Sequence, residues 1–256
     1  MIKVLLCGAA GRMGREIIGA IEEMSDIRII GGVEAGSNRF VHRKISNVKI
    51  TDNLLEFVSD ADCIVEFTTP QGTMGNLKKS LPFKKPYVIG TTGFSKDELA
   101  EIKNLASEFP ILLSPNMSMG INLMSHLVRE VVRVLSEYEI EIIETHHRGK
   151  KDAPSGTAKA FAEIIKEIRP SVKFTYGRSG IVGERGKEEV GISAVRGGDI
   201  VGEHRILFLG DGEFIELRHF ATSRRCFAQG TIEAIRFIVK QKRGLYTMSD
   251  VISSLK

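Results

Sequence analysis

The hydrophobic pattern of the first 116 residues alternates between short apolar runs and amphipathic stretches. Residues 2–7 form a β-branched run typical of a buried strand, and residues 12–24 then carry apolar side chains at helical spacing. Further strand-like or helix-like segments follow at 27–33, 54–58, 63–67, 70–81, 87–89, 96–109 and 111–113. Strands separated by helices of this length predict right-handed crossovers and a parallel sheet covered on both faces. This half is therefore predicted to be a doubly wound α/β domain.

The pattern changes near residue 117. Residues 119–135 predict a long helix, and residues 139–145 alternate polar and apolar side chains, as does a strand with one solvated face. The apolar stripe of that helix is predicted to comprise Leu123, Leu127, Val131, Val134 and Leu135. Further predicted elements are a helix at 158–168, strands at 191–196, 204–209 and 214–220 with a turn at 210–212, and a final helix at 231–242. Helices with antiparallel strands favour an α+β domain here.

Composition narrows the possible partners and the compartment. The 36 basic residues exceed the 32 acidic ones by only four, and aromatic residues make up 7% of the chain with no Trp, so we expect no nucleic-acid partner. No apolar run approaches the about 18 residues that a membrane span needs, so we expect no membrane partner. Three scattered cysteines argue against a disulfide framework and favour a reducing, cytoplasmic location.

A glycine-rich turn lies between the first predicted strand and the first predicted helix. Gly8, Gly11 and Gly14 have the spacing G-x-x-G-x-x-G, and Glu34 follows Gly14 by 20 positions at the end of the second apolar run. Glycines let a backbone approach a pyrophosphate that helix-start amides hold, and a carboxylate at this distance accepts hydrogen bonds from an adenosine ribose. The alternative is a glycine-rich turn with an unrelated surface Glu.

Three more loops follow predicted strands. Residues 68–73 and 90–94 lie where ligands bind in open α/β sheets, at the carboxyl ends of strands. Residues 114–118 fall at the predicted domain boundary and are candidates for a hinge as well as for a nucleotide contact. Each loop could instead be an ordinary helix-capping turn.

The densest group of chemically active residues lies between Glu144 and Ala158. Two histidines and several cations follow a predicted strand, and Ser155 is placed to cap the next helix. Helix-start amides beside Lys and Arg form an anion site, and His supplies a group that titrates near neutrality. A metal site is disfavoured because adjacent histidines on a strand point to opposite faces and no Cys or carboxylate pattern completes a set of ligands. The alternative is a solvated basic loop with a helix cap.

This segment resembles the signature of the 4-hydroxy-tetrahydrodipicolinate reductase (dihydrodipicolinate reductase) family, E-x-H-H-x-x-K-x-D-A-P-S-G-T-A, and every fixed position is present. The resemblance extends over the whole chain. It includes G-x-x-G-R-M-G at 8–14, F-T-x-P at 67–70, G-T-T-G-F at 90–94, P-N-x-S at 115–118, R-G-G-D-I-V-G-E-H at 196–204 and H-x-A-x-S-R at 219–224.

The resemblance implies a two-domain enzyme of lysine and diaminopimelate biosynthesis. Such an enzyme reduces 4-hydroxy-tetrahydrodipicolinate, a small dicarboxylate, to tetrahydrodipicolinate with NADH or NADPH. It implies a Rossmann-like dinucleotide-binding domain at residues 1–117 and 229–256, and a central α+β domain at 118–228 for substrate binding and tetramerisation. The expected assembly is a homotetramer, and no metal is expected.

The resemblance also assigns roles to single residues. His146 takes the position of the proton donor or acceptor and Lys150 that of a second proton donor. His147 and the amides of Gly156 and Thr157 take the substrate positions. The nucleotide positions are Gly8, Ala9, Ala10, Gly11, Arg12, Met13, Glu34, Gly90, Thr91, Thr92, Pro115, Asn116, Met117 and Ser118.

The chain departs from the family pattern after Glu34. Many members carry an Arg there, which holds a 2′-phosphate, whereas this chain has Ala35, with Arg39 four residues further on. The departure favours NADH, with NADPH still accepted.

Two other functions compete with the reductase. An amino-acid dehydrogenase of the aspartate or homoserine type would share the architecture but does not account for the His-His-x-x-Lys run. A nucleotide-sensing regulator would have lost that run and gained a partner-binding element.

Overall fold

The computed structural model describes residues 1–255, which divide into two compact units. The first comprises Met1–Met119 and the residues from Arg224 onward, and the second comprises Gly120–Ser223. Within the described part of the chain, no helix is both long and apolar enough to cross a membrane.

The first unit is built on one large sheet. Its strands are β1 (Ile2–Cys7), β2 (Ile27–Val33), β3 (Lys44–Ile45), β4 (Val48–Thr51), β5 (Cys63–Glu66), β6 (Tyr87–Ile89), β7 (Pro110–Leu113) and, near the end of the chain, β13 (Gly244–Tyr246). The sheet order is β13-β7-β6-β5-β1-β2-β4-β3, and every neighbouring pair is parallel except β3 and β4. The doubly wound parallel sheet predicted from the sequence is therefore confirmed.

The helices of the first unit cover this sheet. They are α1 (Arg12–Glu22), α2 (Pro70–Ser80), α3 (Lys96–Leu105), α6 (Arg225–Ile238) and α7 (Met248–Ser253), with short 3₁₀ turns at Leu54–Glu56 and Leu81–Phe83. Ile17, Ile18 and Ile21 of α1 are buried with β1 and α6 in one core cluster. Because β1 pairs with β2 on one side and with β5 on the other, the strand order reverses at β1. Ligands bind beside the carboxyl ends of strands at such a reversal.

The second unit is a mixed sheet with two helices. Its elements are α4 (Met119–Val134), β8 (Glu139–His146), α5 (Gly156–Ile168), β9 (Lys173–Tyr176), β10 (Glu189–Arg196), β11 (Gly202–Gly210) and β12 (Glu213–Ala221), in the sheet order β12-β11-β8-β10-β9. The expected antiparallel arrangement holds for β8, β11 and β12, but β10 runs parallel to both β8 and β9. The difference arises because α5 is a crossover between β8 and β9, and residues 177–188 then return the chain to the starting end of the sheet before β10, so all three strands run in one direction.

The apolar stripe predicted for α4 is wrong. Leu123, Leu127 and Val134 are 46%, 44% and 75% exposed. The residues of α4 that are buried are Ile121, Met124, Val128 and Val132. Both sets have helical spacing, so the periodicity alone could not determine which one faces the sheet.

Several short elements were not predicted. These are β3, β4, β9, β13 and α7, none longer than six residues. In addition, α6 begins six residues before the predicted start at 231, and α3 ends four residues before the predicted end at 109. Short edge strands carry too few residues for a clear alternation of polar and apolar side chains.

Candidate active site

The glycine-rich turn after β1 packs more closely than side chains would allow. Gly8 has a φ of +81°, and a Cβ atom there would lie 2.3 Å from the carbonyl oxygen of Phe67. A Cβ atom on Gly14 would lie 2.2 Å from the carbonyl oxygen of Gly8. Glycine is therefore required at both positions for steric reasons.

The start of α1 has no side-chain cap, unlike the starts of α2, α3 and α5. Its N-cap residue, Gly11, offers no side-chain hydrogen bond, and the first turn holds no acidic residue. In contrast, Thr69, Ser95 and Ser155 cap α2, α3 and α5 with side-chain oxygens. The first amides of a helix have no partner within the helix, so the start of α1 presents uncapped donors at the positive end of the helix dipole. This arrangement suits a phosphate group.

A cavity of about 600 Å³ adjoins this turn, and Gly8, Ala10, Gly11 and Glu34 line it. Glu34 accepts a hydrogen bond from the Ala10 amide at 2.6 Å and one from the Asn38 side chain at 2.9 Å. Its carboxylate therefore ties the glycine-rich turn to the end of β2. The uncapped helix start and the carboxylate suit a dinucleotide, with the diphosphate at α1 and a ribose at Glu34.

The loops after β5 and β6 are joined by a buried hydrogen-bond network. Glu66, fully buried at the end of β5, accepts from the Thr68 hydroxyl at 2.9 Å and the Asn76 amide at 2.8 Å. The Thr91 hydroxyl accepts from the Thr68 amide at 3.1 Å and the Thr73 hydroxyl at 2.9 Å. Thr91 is thus a buried link between the two loops.

The other predicted nucleotide residues have varied surroundings. Ala9 and Met117 are buried, Ser118 is buried and donates its amide to the Asn116 side chain at 2.9 Å, and Arg12, Thr92 and Pro115 are exposed. Met13 is half-buried, and a Cβ on Gly90 would lie 2.3 Å from the Phe67 ring. Residues 90–92 and 115–118 follow β6 and β7, at the same edge of the parallel sheet as Gly8 and Glu34, but they do not line the cavity.

In the second unit, a buried carboxylate and a histidine lie together at the end of β8. His146 Nδ1 is 2.5 Å from Glu144 Oε2, and the Glu144 side chain is fully buried. Glu144 also accepts two hydrogen bonds from Arg196, at 2.7 and 2.8 Å, and one from the Ser155 amide at 3.0 Å. Burial alone would raise the pKa of Glu144, but the hydrogen bonds from His146 and Arg196 outweigh it and lower the pKa to about 2.

A second buried histidine contacts this group. His204 Nε2 is 2.9 Å from the Ser155 hydroxyl, and its ring meets the His146 ring edge-on with the centroids 5.1 Å apart. Burial is the main reason that the pKa of His204 is lowered to about 3, so the ring is neutral near pH 7. Ser155 in turn accepts from the Ala158 amide at 3.1 Å and caps α5.

The remaining predicted residues lie along the loop from β8 to α5. Lys150 forms an ion pair with Asp152 at 2.9 Å, and Lys150 is the first cause of the lowered pKa of Asp152. His147 is half-buried and donates its amide to the Ile200 carbonyl at 2.8 Å. Gly156 and Thr157 are the first two residues of α5, where amides point out of the helix.

A separate cavity of about 550 Å³ lies beside this loop. Ala153 and Pro154, which line it, belong to the predicted segment from Glu144 to Ala158, whereas the other lining residues, Lys159, Tyr176, Gly177, Ile192 and Ala194, were not predicted. In the described part of the chain, no three His, Cys, Asp or Glu side chains come together in a way that could hold a metal ion.

Sequence reasoning gave no role to Glu66, Glu144, Arg196 or His204. One signal for Glu144 was available, since it lies two residues before His146 and so on the same face of a strand. Arg196 and His204 are 52 and 49 residues from their partners Glu144 and Ser155, so no local pattern could have paired them.

A Rossmann-like sheet with an uncapped helix start, in a chain that also carries a buried histidine beside a buried carboxylate, is typical of an NAD(P)-dependent oxidoreductase. Comparison with known proteins gives the family. The family model described as "Dihydrodipicolinate reductase, N-terminus" matches residues 2–117, and "Dihydrodipicolinate reductase, C-terminus" matches residues 120–252. The chain belongs to the dihydrodipicolinate reductase family.

Individual relatives agree with this assignment. The 4-hydroxy-tetrahydrodipicolinate reductase of Geotalea daltonii is 42% identical, with 98% of this chain and 99% of the relative covered. The enzyme of the same name from Aquifex aeolicus is also 42% identical, with 98% of each covered. The structure of dipicolinate-bound dihydrodipicolinate reductase from Paenisporosarcina sp. TG-14 matches with a TM-score of 0.81 at 26% identity, covering 96% of this chain and 97% of that one.

The family carries out the reduction of 4-hydroxy-tetrahydrodipicolinate in lysine and diaminopimelate biosynthesis and uses NADH or NADPH. The reductase predicted from the sequence is confirmed. The amino-acid dehydrogenase and the regulator are set aside, because both halves of the chain match the reductase family.

Proposed function

We propose that His146 transfers the proton of this reduction through Nε2. Its Nδ1 atom is occupied by Glu144, whereas Nε2 contacts no hydrogen-bond partner among residues 1–255. A Cβ atom on Gly202 would lie 3.0 Å from Nε2, so glycine at that position keeps the outer ring nitrogen uncovered. This uncovered nitrogen on an otherwise buried ring is the observation that carries the proposal.

Lys150 and the start of α5 are proposed to hold the dicarboxylate substrate. The amides of Gly156 and Thr157 and the positive end of the helix dipole attract a carboxylate, and His147 lies on the same loop. Lys150 supplies a charged donor. The ion pair with Asp152 holds the Lys150 ammonium group in position when no substrate is bound. Lys150 is also proposed as a second proton donor.

The overall change removes the 4-hydroxyl group as water and consumes one hydride and one proton. A bound nicotinamide supplies the hydride. His146 or Lys150 supplies the proton, and the cations of the loop stabilise the negative charge that develops on the substrate.

The nucleotide is proposed to bind to the predicted dinucleotide-binding domain, residues 1–117 and 229–256, which falls within the first unit. The diphosphate would lie on the uncapped start of α1, in reach of the amides of Arg12 and Met13, and the ribose would lie at Glu34. Residues 90–92 and 115–118 are proposed to contact the nicotinamide half from the ends of β6 and β7. We propose that NADH is preferred and NADPH accepted, that residues 118–228 bind substrate and form a homotetramer, and that the enzyme is cytoplasmic.

Turnover of the cyclic condensation product with NADH, followed by loss of nicotinamide absorbance, tests this proposal directly. Lys150→Ala should lower kcat by at least 100-fold, because the substrate loses a charged hydrogen-bond donor during the reaction. The same variant should leave the Kd of NADH within twofold. The matched control is Lys151→Ala, an exposed neighbour with the same charge. An unchanged kcat in Lys150→Ala would remove Lys150 from catalysis.

A further inference from the structure

We propose that Glu144 is a positioning residue for the reduction. Its carboxylate sets which nitrogen of His146 carries the exchangeable proton, and it holds the start of α5 in register with that ring. The inference rests on the proposed role of His146. Glu144 is the first fixed position of the family signature, but the resemblance assigns it no role.

The carboxylate of Glu144 fixes the tautomer of the neutral His146 ring. An ionised carboxylate has no proton to donate, so the ring nitrogen that faces it must carry hydrogen. Because Glu144 Oε2 lies 2.5 Å from Nδ1, the neutral ring holds its hydrogen at Nδ1 and leaves a lone pair on Nε2. The low pKa of Glu144, about 2, keeps it ionised over the working range. Protonation of His146 therefore adds its proton at Nε2, the uncovered nitrogen.

The charged and titratable groups around His146 do not oppose this assignment. Besides Glu144 on its own strand, the ring faces the neutral ring of His204 on β11. Arg196 at the end of β10 contacts Glu144 through both terminal nitrogens and balances its charge, so the carboxylate adds little net repulsion beside a dicarboxylate. Lys150 lies on the following loop, paired with Asp152.

Glu144 also holds the start of α5, the proposed substrate-binding end of that helix. The same carboxylate accepts from the Ser155 amide, the residue directly before the proposed carboxylate-binding amides of Gly156 and Thr157. Arg196, held by Glu144, also donates to the Asp152 carbonyl at 2.7 Å, and Asp152 is the partner of Lys150. One buried group thus sets the positions of the proton donor, the helix start and the loop that carries Lys150.

The experiment compares Glu144→Gln with Glu144→Asp and with a control, Glu139→Gln, at the start of the same strand, where the side chain is about half exposed. Glu144→Gln should lower kcat about 10- to 100-fold, as loss of an orienting hydrogen-bond partner does at other sites. The Kd of NADH should stay within twofold, because the proposed nucleotide residues are in the other unit. Glu144→Asp should recover part of kcat, and Glu139→Gln should match the wild type.

Nitrogen-15 chemical shifts of His146 provide a readout that a merely structural role would not move. The neutral ring of the wild type should show hydrogen at Nδ1 and a free Nε2. Glu144→Gln should show a mixture of tautomers, because an amide can either donate or accept. The pH profile of kcat should change in Glu144→Gln and not in Glu139→Gln.

The outcomes separate this inference from the proposed function. An unchanged kcat in Glu144→Gln, equal losses in kcat and NADH affinity, or hydrogen at Nε2 in the neutral wild-type ring would overturn the positioning role. If Glu144→Gln does not fold, the tautomer of the wild type and of Glu144→Asp still decides the matter, since both must show hydrogen at Nδ1. Full activity in His146→Gln would instead overturn the role of His146 itself.

Discussion

Two buried carboxylates, one in each unit, show how the surrounding hydrogen-bond donors set the pKa of a side chain. Glu66 accepts hydrogen bonds from neutral Thr and Asn side chains, and burial raises its pKa despite them. Glu144 is also inaccessible to solvent, but it is hydrogen-bonded to His146 and to the Arg196 guanidinium group, and its pKa falls to about 2. The hydrogen bonds from His146 and Arg196 offset the desolvation of its carboxylate, so Glu144 is suited to a role that needs a permanent anion.

At the same scale, Ala35 bears on the choice of nucleotide. The nearby Arg15 and Arg39 guanidinium groups lie over the Phe40 ring, 4.8 and 5.0 Å from its centroid, and no hydrogen bond or ion pair joins either of them to Glu34 in the described residues. A 2′-phosphate beside Glu34 would meet repulsion from its carboxylate, and Ala35 supplies no cation to offset it.

NADH is accordingly expected to bind at least as tightly as NADPH. Ala35→Arg should shift the ratio of the two dissociation constants toward NADPH by about tenfold, about 1.4 kcal/mol, because it places a cation beside the ribose. Titration calorimetry with both nucleotides measures the ratio, and Ala35→Gln is the control for side-chain length without charge. A tenfold preference of the wild type for NADPH would contradict this expectation.

At the scale of elements, α1 depends on close contact at its first turn and not along its length. A Cβ on Gly14 would lie 2.2 Å from the Gly8 carbonyl oxygen, whereas a Cβ on Gly19, five residues further along the same helix, meets no atom within 4 Å. The same substitution at these two positions should therefore have opposite effects.

Gly14→Ala should weaken NADH binding at least tenfold and lower the free energy of unfolding, because the turn that presents the helix-start amides must shift. Gly19→Ala should leave NADH binding unchanged and raise the free energy of unfolding by about 0.5–1 kcal/mol, the usual gain in a helix interior. Denaturant unfolding and NADH titration of both variants check the pair. Equal NADH affinities in the two variants would show that the turn does not form the nucleotide site.

The burial of His204, on β11 beside the start of α5, makes the free energy of unfolding depend on pH. His204 has a folded-state pKa of about 3 against an ordinary value of 6.5, with burial as the main cause. Between these values the unfolded chain binds a proton that the folded chain does not, so the free energy of unfolding falls as the pH falls below 6.5 and is level above it. Glu144 adds a loss in the same direction from its ordinary value of 4.5 down to about 2.

Lowering the pH from 7.5 to 5.0 should thus cost up to about 2 kcal/mol through His204 alone. His204→Gln should be less stable than the wild type at pH 7.5 but should lose less stability on acidification. Urea unfolding at the two pH values measures the difference, and the remaining histidines are common to both proteins. Identical pH dependence of wild type and variant would exclude His204 as the source.

At the scale of the whole molecule, the second unit has an unprotected sheet edge. β12 is a nine-residue edge strand, and Phe214, Ile215 and Phe220 on it are 61%, 39% and 49% exposed. Long apolar edges are usually covered in stable proteins. This edge supports the proposal of self-association through the second unit.

The expected assembly is a homotetramer with a mass of about four times the 28.3 kDa chain. Ile215→Glu should lower the mass measured by light scattering after size exclusion, because it places a charge on the exposed edge strand. Leu99→Glu, at a similarly exposed position on α3 of the first unit, should leave the mass unchanged. A wild-type mass of one chain would refute the assembly.

Local patterns were enough to predict most of the first unit and to single out the segments proposed for chemistry, whereas the roles of single residues came from the resemblance to the family. The parallel sheet followed from alternating apolar runs, and the glycine-rich turn and the loop from Glu144 to Ala158 are contiguous in sequence. The hydrophobic periodicity, the turn residues and the spacing of residues within about 15 positions are properties of the sequence itself. They can therefore be recognised without knowing which distant segments are in contact.

Tertiary structure alone decided which of two apolar stripes of α4 is buried, that β10 runs parallel to β8, and that Arg196 and His204 reach the proposed active site. Each depends on which distant segments pack together, and a helical period or a lone Arg is compatible with several partners. The state of Glu144 follows the same rule. Its position beside His146 is written in the sequence, but its permanent charge depends on hydrogen bonds from that ring and from an arginine 52 residues away, which together outweigh the effect of burial.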